Sequence, residues 1–453
     1  MFLHGTPSRH SLVPRAGAIA HGLTSSAAAI LLLLLVACGE SSAPGGGSER
    51  ATLSGTVRAA QGSAALEGAQ ITVGQRQTTS DASGHFEMTD LPVGAVTVQT
   101  QRPGYLAVTT AVTLNAGANT HDFALDVQEI YQSGPYAMYL PAGVGPLQGT
   151  VISLGGGVTT SGFVTGGPLE PGNPVLEQSL QQLGLNLRAL AKSSRVALLG
   201  TTTHGLTNSV GSDNELFAAI STFAGLSGHP EVSDAPVLTF GLDAGSLEAL
   251  GLASRVSQRS IGVLVRVPTS MTELTAPAAL AVPTFVMLAE LDNATVNTSV
   301  QNVFLANRSR GGLWALAVEP GVHHAEATDR GNGANVSWIN LALTLRLPAA
   351  PGDPLITLDQ TSGWLGNQTT REIASWASYG GDRSTASWLL SESAATSWQA
   401  LGTRTGAAVG VGVAAGTPPT RAAERLPMSP ARGSAGELPS VVQRSGVVSP
   451  STP

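Results

Sequence analysis

The stretch Thr239-Phe-Gly-Leu-Asp-Ala-Gly-Ser-Leu-Glu-Ala-Leu250 joins a short apolar segment directly to a predicted helix. Its centre is the pattern Gly-x-Asp-x-Gly, in which Gly241 and Gly245 flank Asp243. Glycines at these positions permit a very sharp turn, because the neighbours of the central residue must lack a bulky Cβ. Such a turn lifts the Asp243 side chain clear of the sheet and above a helix N-terminus, where the dipole and free N–H groups stabilise negative charge.

The segments around this turn alternate between apolar strands and helical patterns from about residue 128 to 350. The apolar runs carry no polar alternation, which is expected of strands buried on both faces. Strand and helix alternation of this kind predicts a doubly wound, mostly parallel sheet. The predicted helices are about 174–192, 214–227, 244–257, 296–308 and 335–346.

The strand–elbow–helix pattern resembles the nucleophile elbow of the α/β-hydrolase superfamily. The resemblance implies that Asp243 stands where most of the family has serine. It also implies an acid at Asp292, after the strand "TFVMLAE", and a base at His324 or His323, after the strand "LWALAVE". The spacing after Gly321 favours His324.

The same resemblance places an oxyanion hole at the glycine run that follows "VIS". It implies that Gly155 and Gly156 form the oxyanion loop, and that the backbone N–H of Ala244 is the second donor. Each element also has a structural interpretation. The histidines could cap a strand, Asp292 could be a turn residue, the glycines could form only a tight turn, and Asp243 could be an ordinary helix N-cap. A further histidine, His204, could line the site or face solvent.

A carboxylate at position 243 changes the chemistry that the turn can support. Attack by Asp243 on an ester carbonyl would form a high-energy anhydride, so carboxylate nucleophiles in related enzymes act on saturated carbon instead. Those relatives use a helical cap with Trp or Tyr donors, and residues 247–282 contain neither. Asp243 could also be a general base on water, Ser246 could replace it, or the site could be inactive.

The composition and the single cysteine limit the class of protein. The chain has 453 residues, a net charge of -7 and no basic cluster, so a nucleic-acid partner is not expected. One cysteine excludes an intrachain disulfide and a Cys-based metal cluster, and we predict no metal and no cofactor.

The N-terminus has the pattern of an exported, lipid-anchored protein. An apolar run too short to span a bilayer ends in Leu35-Val36-Ala37-Cys38, which resembles the bacterial lipobox. This predicts a signal peptide over 1–38, lipidation of Cys38, a flexible tether over 39–50 and a partner in outer-membrane lipid. The expected location is the cell envelope, with the protein facing the periplasm or the surface.

Residues 51–127 predict a β-sandwich, since short Val- and Thr-rich runs are punctuated by Gly and Pro every few residues. The segments "SGTV", "GAQITV", "TTSDASGHFEMTDLPVGAVTV" and "RPGY" resemble the carboxypeptidase regulatory-like, transthyretin-like domain. Within them, Asp81 should hydrogen-bond its own turn, Gly84 should take a positive φ, and Phe86 should enter the core.

The C-terminal part divides into two segments. Residues 351–402 are rich in Trp and are expected to pack on the sheet, although Trp side chains could also form a stacking platform for sugars. Residues 403–453 have the composition of a disordered tail.

Three functional hypotheses follow from the sequence. The first is an esterase-type hydrolase of the α/β-hydrolase superfamily, acting on a small or polymeric ester, or a degenerate relative in which Asp replaces the nucleophilic Ser. The second is a non-catalytic binding or adhesion lipoprotein built on a hydrolase scaffold. The third is a hydrolase of epoxides or haloalkanes with Asp243 as nucleophile.

Overall fold

The computed structural model of the protein describes residues 49–155, 160–165, 174–201, 208–324, 326 and 328–402, and it leaves the side chains of 174–180 undescribed. Several predictions lie outside the described residues. They concern the signal peptide with Cys38, nearly all of the tether, the tail from 403, and Gly156 and His204.

The N-terminal region is a β-sandwich of two four-stranded sheets, as the sequence predicts. In the first sheet, a long central strand alternates between buried and outward-facing residues along almost its whole length, which is the pattern of a half-buried strand. The first sheet contains β1 (Arg50–Ala59), β4 (His85–Pro92), β7 (Gly117–Thr120) and β8 (Phe123–Leu125). The second contains β2 (Gln70–Val73), β3 (Arg76–Thr79), β5 (Gly94–Gln101) and β6 (Val108–Leu114).

The turn before β4 has the predicted local chemistry. The Asp81 carboxylate accepts hydrogen bonds from the backbone N–H groups of Ser83 and His85, at 2.8 and 2.9 Å. Gly84 has a φ of 78°, and Phe86 is 1% exposed in the sandwich core. These three expectations are confirmed.

The second region is built on an eight-stranded sheet whose spatial order is β9-β10-β12-β11-β13-β14-β15-β16. One strand, β10, is antiparallel to both of its neighbours, and the remaining pairs are parallel. The strands are β9 (Ile130–Ser133), β10 (Tyr136–Tyr139), β11 (Gly149–Gly155), β12 (Val196–Thr201), β13 (Val237–Leu242), β14 (Ser260–Arg266), β15 (Thr284–Ala289) and β16 (Trp314–Glu319).

Helices cover both faces of this sheet, which explains why its central strands are almost completely buried. The helices are α1 (Ser161–Thr165), α2 (Pro174–Ser194), α3 (Val210–Ser227), α4 (Gly245–Arg255), α5 (Pro277–Leu280), α6 (Ala294–Ser309) and α7 (Asp329–Arg346). One apolar core joins the sheet to α2 and α7, and the other joins it to α3, α4 and α6. The doubly wound fold is confirmed.

Several helices begin earlier than their apolar pattern indicates. The helix predicted from 335 begins at Asp329, because the hydroxyl of Thr328 caps it by accepting from the Gly331 N–H. The helix predicted from 214 begins at Val210, with Ser209 as its cap. Polar first turns carry the capping bonds but contribute little to the apolar periodicity.

The Trp-rich segment packs against the free edge of β16. It forms a small antiparallel sheet and one helix, and the side chains of Trp388 and Trp398 are each 2% exposed. The Trp398 indole donates to the Leu316 carbonyl at 2.6 Å, and the Ser387 hydroxyl accepts from the Leu316 N–H at 2.8 Å. The elements are β17 (Trp364–Gly366), β18 (Ile373–Ser375), β19 (Ser387–Leu389) and α8 (Glu392–Leu401). This segment therefore satisfies an edge that would otherwise expose unpaired backbone groups.

Among the helices of the described ranges, none has the length and apolar character needed to cross a membrane.

Candidate active site

Asp243 occupies a strained turn between β13 and α4. Its φ is 51°, in the left-handed region that non-glycine residues adopt uncommonly and that Asp tolerates better than most. A Cβ on Gly241 would lie 2.5 Å from the Ser246 Cα, and a Cβ on Gly245 would lie 2.4 Å from the Leu154 carbonyl oxygen. The two glycines are therefore required by close backbone approach on both sides of Asp243.

The Asp243 side chain contacts a histidine that follows β16, the strand at the edge of the same sheet. Nε2 of His324 lies 3.2 Å from Oδ1 of Asp243, and Nδ1 of His324 lies 2.7 Å from Oδ2 of Asp292. The exposed fractions of these side chains are 28% for Asp243, 39% for His324 and 8% for Asp292. One imidazole thus bridges a buried carboxylate and a partly exposed one.

Asp292 is held towards His324 rather than used as a helix cap. The cap of α6 is the next residue, Asn293, whose side chain accepts from the N–H groups of Thr295 and Val296. The Asn293 N–H donates to the other carboxylate oxygen of Asp292 at 2.6 Å. The cap interpretation of Asp243 is also wrong, because Ala244 is the N-cap of α4 and no side-chain bond caps that helix.

His324 lies in the segment that follows β16, of which residues 320–324 and 326 are described; we call it the histidine loop. The loop is tied to the end of β15, since the Gly321 N–H donates to the Glu290 carboxylate at 2.8 Å and the Leu291 N–H donates to the Val322 carbonyl at 2.9 Å. His323 is exposed, and its backbone N–H bonds to Glu326. The structure therefore brings His324, not His323, to Asp243.

The pKa of His324 is raised above the ordinary histidine value. Burial lowers this pKa, but the hydrogen bond and charge of Asp292, together with the charge and hydrogen bond of Asp243, raise it by more. The imidazolium form is thus favoured while both carboxylates are charged.

The remaining predicted site residues differ in how close they lie to Asp243. Gly155 pairs with Leu242 at the ends of β11 and β13, and Ala244 is exposed at the start of α4, so both lie beside the elbow. Ser246 is completely buried, and its hydroxyl has no hydrogen-bond partner. It does not reach the site. No group of three or more potential metal-ligating side chains occurs in the part of the chain that the structure describes.

Two buried charged residues beside the site were missed at the sequence level, namely Arg266 and Glu319 at the ends of β14 and β16. Both are nearly inaccessible, at 3% and 2% exposure. The available signal was a single charge closing each otherwise apolar strand, in "SIGVLVR" and "WALAVE".

A glycine-flanked elbow followed along the chain by an acid and then a histidine, all at strand ends of one sheet, is the arrangement of α/β-hydrolases. This region has an α/β-hydrolase-like fold. Solved structures similar to the chain include a putative alpha/beta hydrolase of unknown function from Agrobacterium tumefaciens, at 14% identity, covering 49% of this chain and 99% of the other with a TM-score of 0.34. Esterase PE8 is similar at 15% identity, covering 47% and 98% of the two chains with a TM-score of 0.30. The strand order and the elbow, rather than these low scores, carry the assignment of the fold.

The β-sandwich also matches a known family. Residues 52–126 match the family model of the carboxypeptidase regulatory-like domain, which confirms the prediction from the sequence. A putative carbohydrate binding protein from Bacteroides uniformis is similar at 10% identity, covering 19% of this chain and 50% of the other with a TM-score of 0.16. No curated protein sequence matches the chain.

Proposed function

We propose that the α/β-hydrolase-like domain is a hydrolase that attacks saturated carbon with the Asp243 carboxylate. The observation that carries this proposal is the bridging position of His324, with one ring nitrogen 3.2 Å from Asp243 and the other 2.7 Å from Asp292. The substrate class is a small epoxide or a similarly activated alkyl compound. Attack on a carbonyl is disfavoured, because it would leave an anhydride on the enzyme.

The charge state of the site fits the first step. Burial lowers the pKa of His324, but the two carboxylates raise it by more, which favours the imidazolium, so its Nε2–H can act as an acid beside an anionic nucleophile. As an Asp243 oxygen forms a bond to a ring carbon of the epoxide, the ring C–O bond breaks. The leaving oxygen takes the proton from Nε2. The products are a hydroxyalkyl ester of Asp243 and a neutral His324.

The second step follows from the loss of charge on Asp243. In the ester, Asp243 no longer raises the pKa of His324, so the imidazole becomes a base. It takes a proton from water, and the hydroxide attacks the ester carbonyl. The resulting oxyanion lies near the N–H of Ala244 at the start of α4. When this intermediate collapses, the C–O bond to the substrate breaks and the leaving alkoxide takes the proton of the added hydroxyl, which releases the diol. Asp243 is again a carboxylate, and His324 holds the other proton of the water.

The acid role of His324 also explains how the leaving group could be assisted without the Trp or Tyr donors of a helical cap. Residues 267–283, between β14 and β15, contain one helix of four residues, α5, and have no Trp or Tyr to assist a leaving group. A protonated His324 supplies that proton from within the triad. The half-open site suits small substrates or the ends of longer ones.

The test compares the wild-type protein with Asp243→Asn, Asp243→Ser and His324→Gln on epoxides, haloalkanes and short aryl esters. We expect epoxide or haloalkane turnover in the wild type and loss of it in Asp243→Asn. His324→Gln should lose epoxide opening, which needs the imidazolium proton, and should accumulate an alkyl ester only from haloalkanes, whose halide leaves without a proton. In a single turnover in ¹⁸O-water, the label should enter Asp243 and not the product.

Other outcomes identify the competing functions. Label in the first-turnover product would make Asp243 a general base instead of a nucleophile. Ester cleavage that appears only in Asp243→Ser, with no wild-type turnover of any class, would indicate a lapsed serine hydrolase that now serves as a binding module. Either result rejects the proposal.

We further propose that the protein is exported and anchored through a lipid on Cys38, with the α/β-hydrolase-like domain in the cell envelope. The support is the position of the single cysteine directly after the apolar run. Along the sequence, the β-sandwich lies between Cys38 and the α/β-hydrolase-like domain.

A further inference from the structure

We infer that Arg266 is a positioning residue that holds the elbow and the histidine loop in register. This inference rests on the proposed function, since it concerns the residues that would perform it. Arg266 closes β14, the strand beside the elbow strand, and its guanidinium is buried beneath the site.

The backbone of Arg266 contacts the elbow. Its carbonyl accepts the Asp243 N–H at 3.1 Å, which is a bond to the residue in the left-handed conformation. A strained φ costs about 1–3 kcal/mol and persists only where surrounding bonds fix it. Arg266 supplies one of those bonds.

The side chain of Arg266 contacts the histidine loop. Its Nη2 donates to the Glu326 carbonyl at 2.7 Å, and its Nη1 donates to the Asn332 side chain at 2.9 Å near the start of α7. One residue therefore binds the elbow through its carbonyl and the loop through its guanidinium. The planar fork makes this geometry specific to Arg rather than Lys.

A buried carboxylate balances the Arg266 charge. Glu319 Oε2 lies 3.9 Å from Nη2, and its other oxygen faces Nε of Arg330 at 3.5 Å and accepts from the Thr328 hydroxyl. Glu319 is the last residue of β16, directly before the histidine loop. The ion pair thus joins the end of β14, whose carbonyl accepts the Asp243 N–H, to the end of β16, which leads into the histidine loop.

The next residue supports the same role. Val267 has a φ of 44°, which is a true outlier for a β-branched side chain. This conformation turns the chain at the end of β14, and the Val267 side chain packs with Val322 of the histidine loop and with Ala289. The apolar contact and the guanidinium therefore hold the same loop from two sides.

The test uses the full-length protein with both charges removed together, as Arg266→Met with Glu319→Gln. Removing both avoids the uncompensated buried charge that a single substitution would leave. We follow the titration of His324 by NMR, with its signal assigned by His324→Gln. We expect the His324 pKa to fall towards the ordinary histidine value, because the imidazole should no longer hydrogen-bond both Asp243 and Asp292. We also expect kcat to drop about 100-fold, with KM changed far less.

Arg346→Met is the matched control. Arg346 is also a buried arginine, but it bonds backbone carbonyls at the opposite end of β14, including Ser260 at 3.1 Å. The control should lose thermal stability and leave the His324 titration unchanged. An equal shift in the control, or an unchanged His324 in the folded double variant, overturns the inference.

Two further provisions separate the possible failures. If the double variant does not fold, Arg266→Lys decides, because it keeps the charge opposite Glu319 but loses the fork; an unchanged His324 titration would then reject the positioning role. If the wild type turns over no substrate, the proposed function fails, and the NMR titration still decides the role of Arg266.

Discussion

At the scale of single residues, the site depends on one imidazole between two carboxylates. Asp292 is buried and fixed by the Asn293 N–H, while Asp243 is more exposed and faces the space where a substrate would bind. In the proposed mechanism, the buried carboxylate orients His324 and the exposed one reacts. Modification of Asp243 would then change the protonation of His324 and couple the two proposed steps.

The raised pKa of His324 predicts a pH dependence. The alkylation step needs the imidazolium, so kcat/KM for an epoxide should fall as the pH rises through the His324 pKa, above the ordinary value of about 6.5. Asp243→Asn should move the His324 titration to lower pH, because the charge at 243 is removed. A kcat/KM that rises with pH across this window would contradict the acid role.

The same shift has a consequence for stability. Because the folded-state pKa lies above that of the unfolded chain, protonated His324 stabilises the fold fully below about pH 6.5. This contribution disappears as the pH rises through the folded-state pKa. The difference in melting temperature between the wild type and His324→Gln should therefore shrink with increasing pH. A constant difference would show that the bridge carries no proton-linked stability.

The elbow glycines give a prediction about packing. Gly245→Ala would place a Cβ 2.4 Å from the Leu154 carbonyl oxygen, so we expect a loss of about 1–3 kcal/mol in the free energy of unfolding and a displaced Asp243. Gly225→Ala is the control, since nothing lies within 4 Å of its new Cβ in α3. It should stabilise the protein by about 0.5–1 kcal/mol. Urea unfolding of both variants measures the contrast, and equal effects would contradict it.

Sequence patterns predict the elbow and the triad well, but not the residues beneath them. The glycines around Asp243 and the polar residues after long apolar strands are local patterns. They can be recognised in the sequence without knowledge of the fold. The charges of Arg266 and Glu319, each closing an apolar strand, give only a weak signal, because a charge at a strand end is usually solvated and pairing across the sheet is not visible in the chain. Their burial depends on the strand order.

At the scale of elements, the edge strand β16 depends on side chains from outside the sheet. Ser387→Ala would remove the acceptor of the Leu316 N–H in a buried position, and we expect a loss of about 1–3 kcal/mol. Thr396→Ala, on the exposed face of α8, should change stability by less than about 0.5 kcal/mol. Thermal unfolding distinguishes them, and similar values would mean that Ser387 is dispensable.

The order of the strands and helices was predictable from the sequence. The first residues of the helices and the contacts between distant elements were harder to predict. Continuous apolar runs give the parallel strands of the sheet, but the starts of α3 and α7 lie in polar turns whose caps are Ser209 and Thr328. The regular spacing of the tryptophans likewise gave no indication that Trp398 bonds the backbone of β16. That contact joins residues far apart in the chain.

At the scale of the whole molecule, the anchor hypothesis predicts where the protein is found. Cys38→Ser should abolish incorporation of labelled palmitate and shift the protein from the membrane fraction to the soluble envelope fraction. The substitution lies far from the hydrolase site in sequence, so turnover by the purified protein should be unchanged. Persistent membrane association of Cys38→Ser would exclude lipidation as the anchor.

The edge contact of β16 links the geometry of the candidate site to an intact C-terminal segment. The strand that ends in Glu319 and leads into His324 is braced by residues beyond 360, so a protease that nicks the connection near 350–358 would loosen the imidazole without touching it. If the proposed function holds, a single cut in this connection would abolish turnover while every residue of the site stayed intact. The segment beyond residue 360 would then make the activity sensitive to proteolysis.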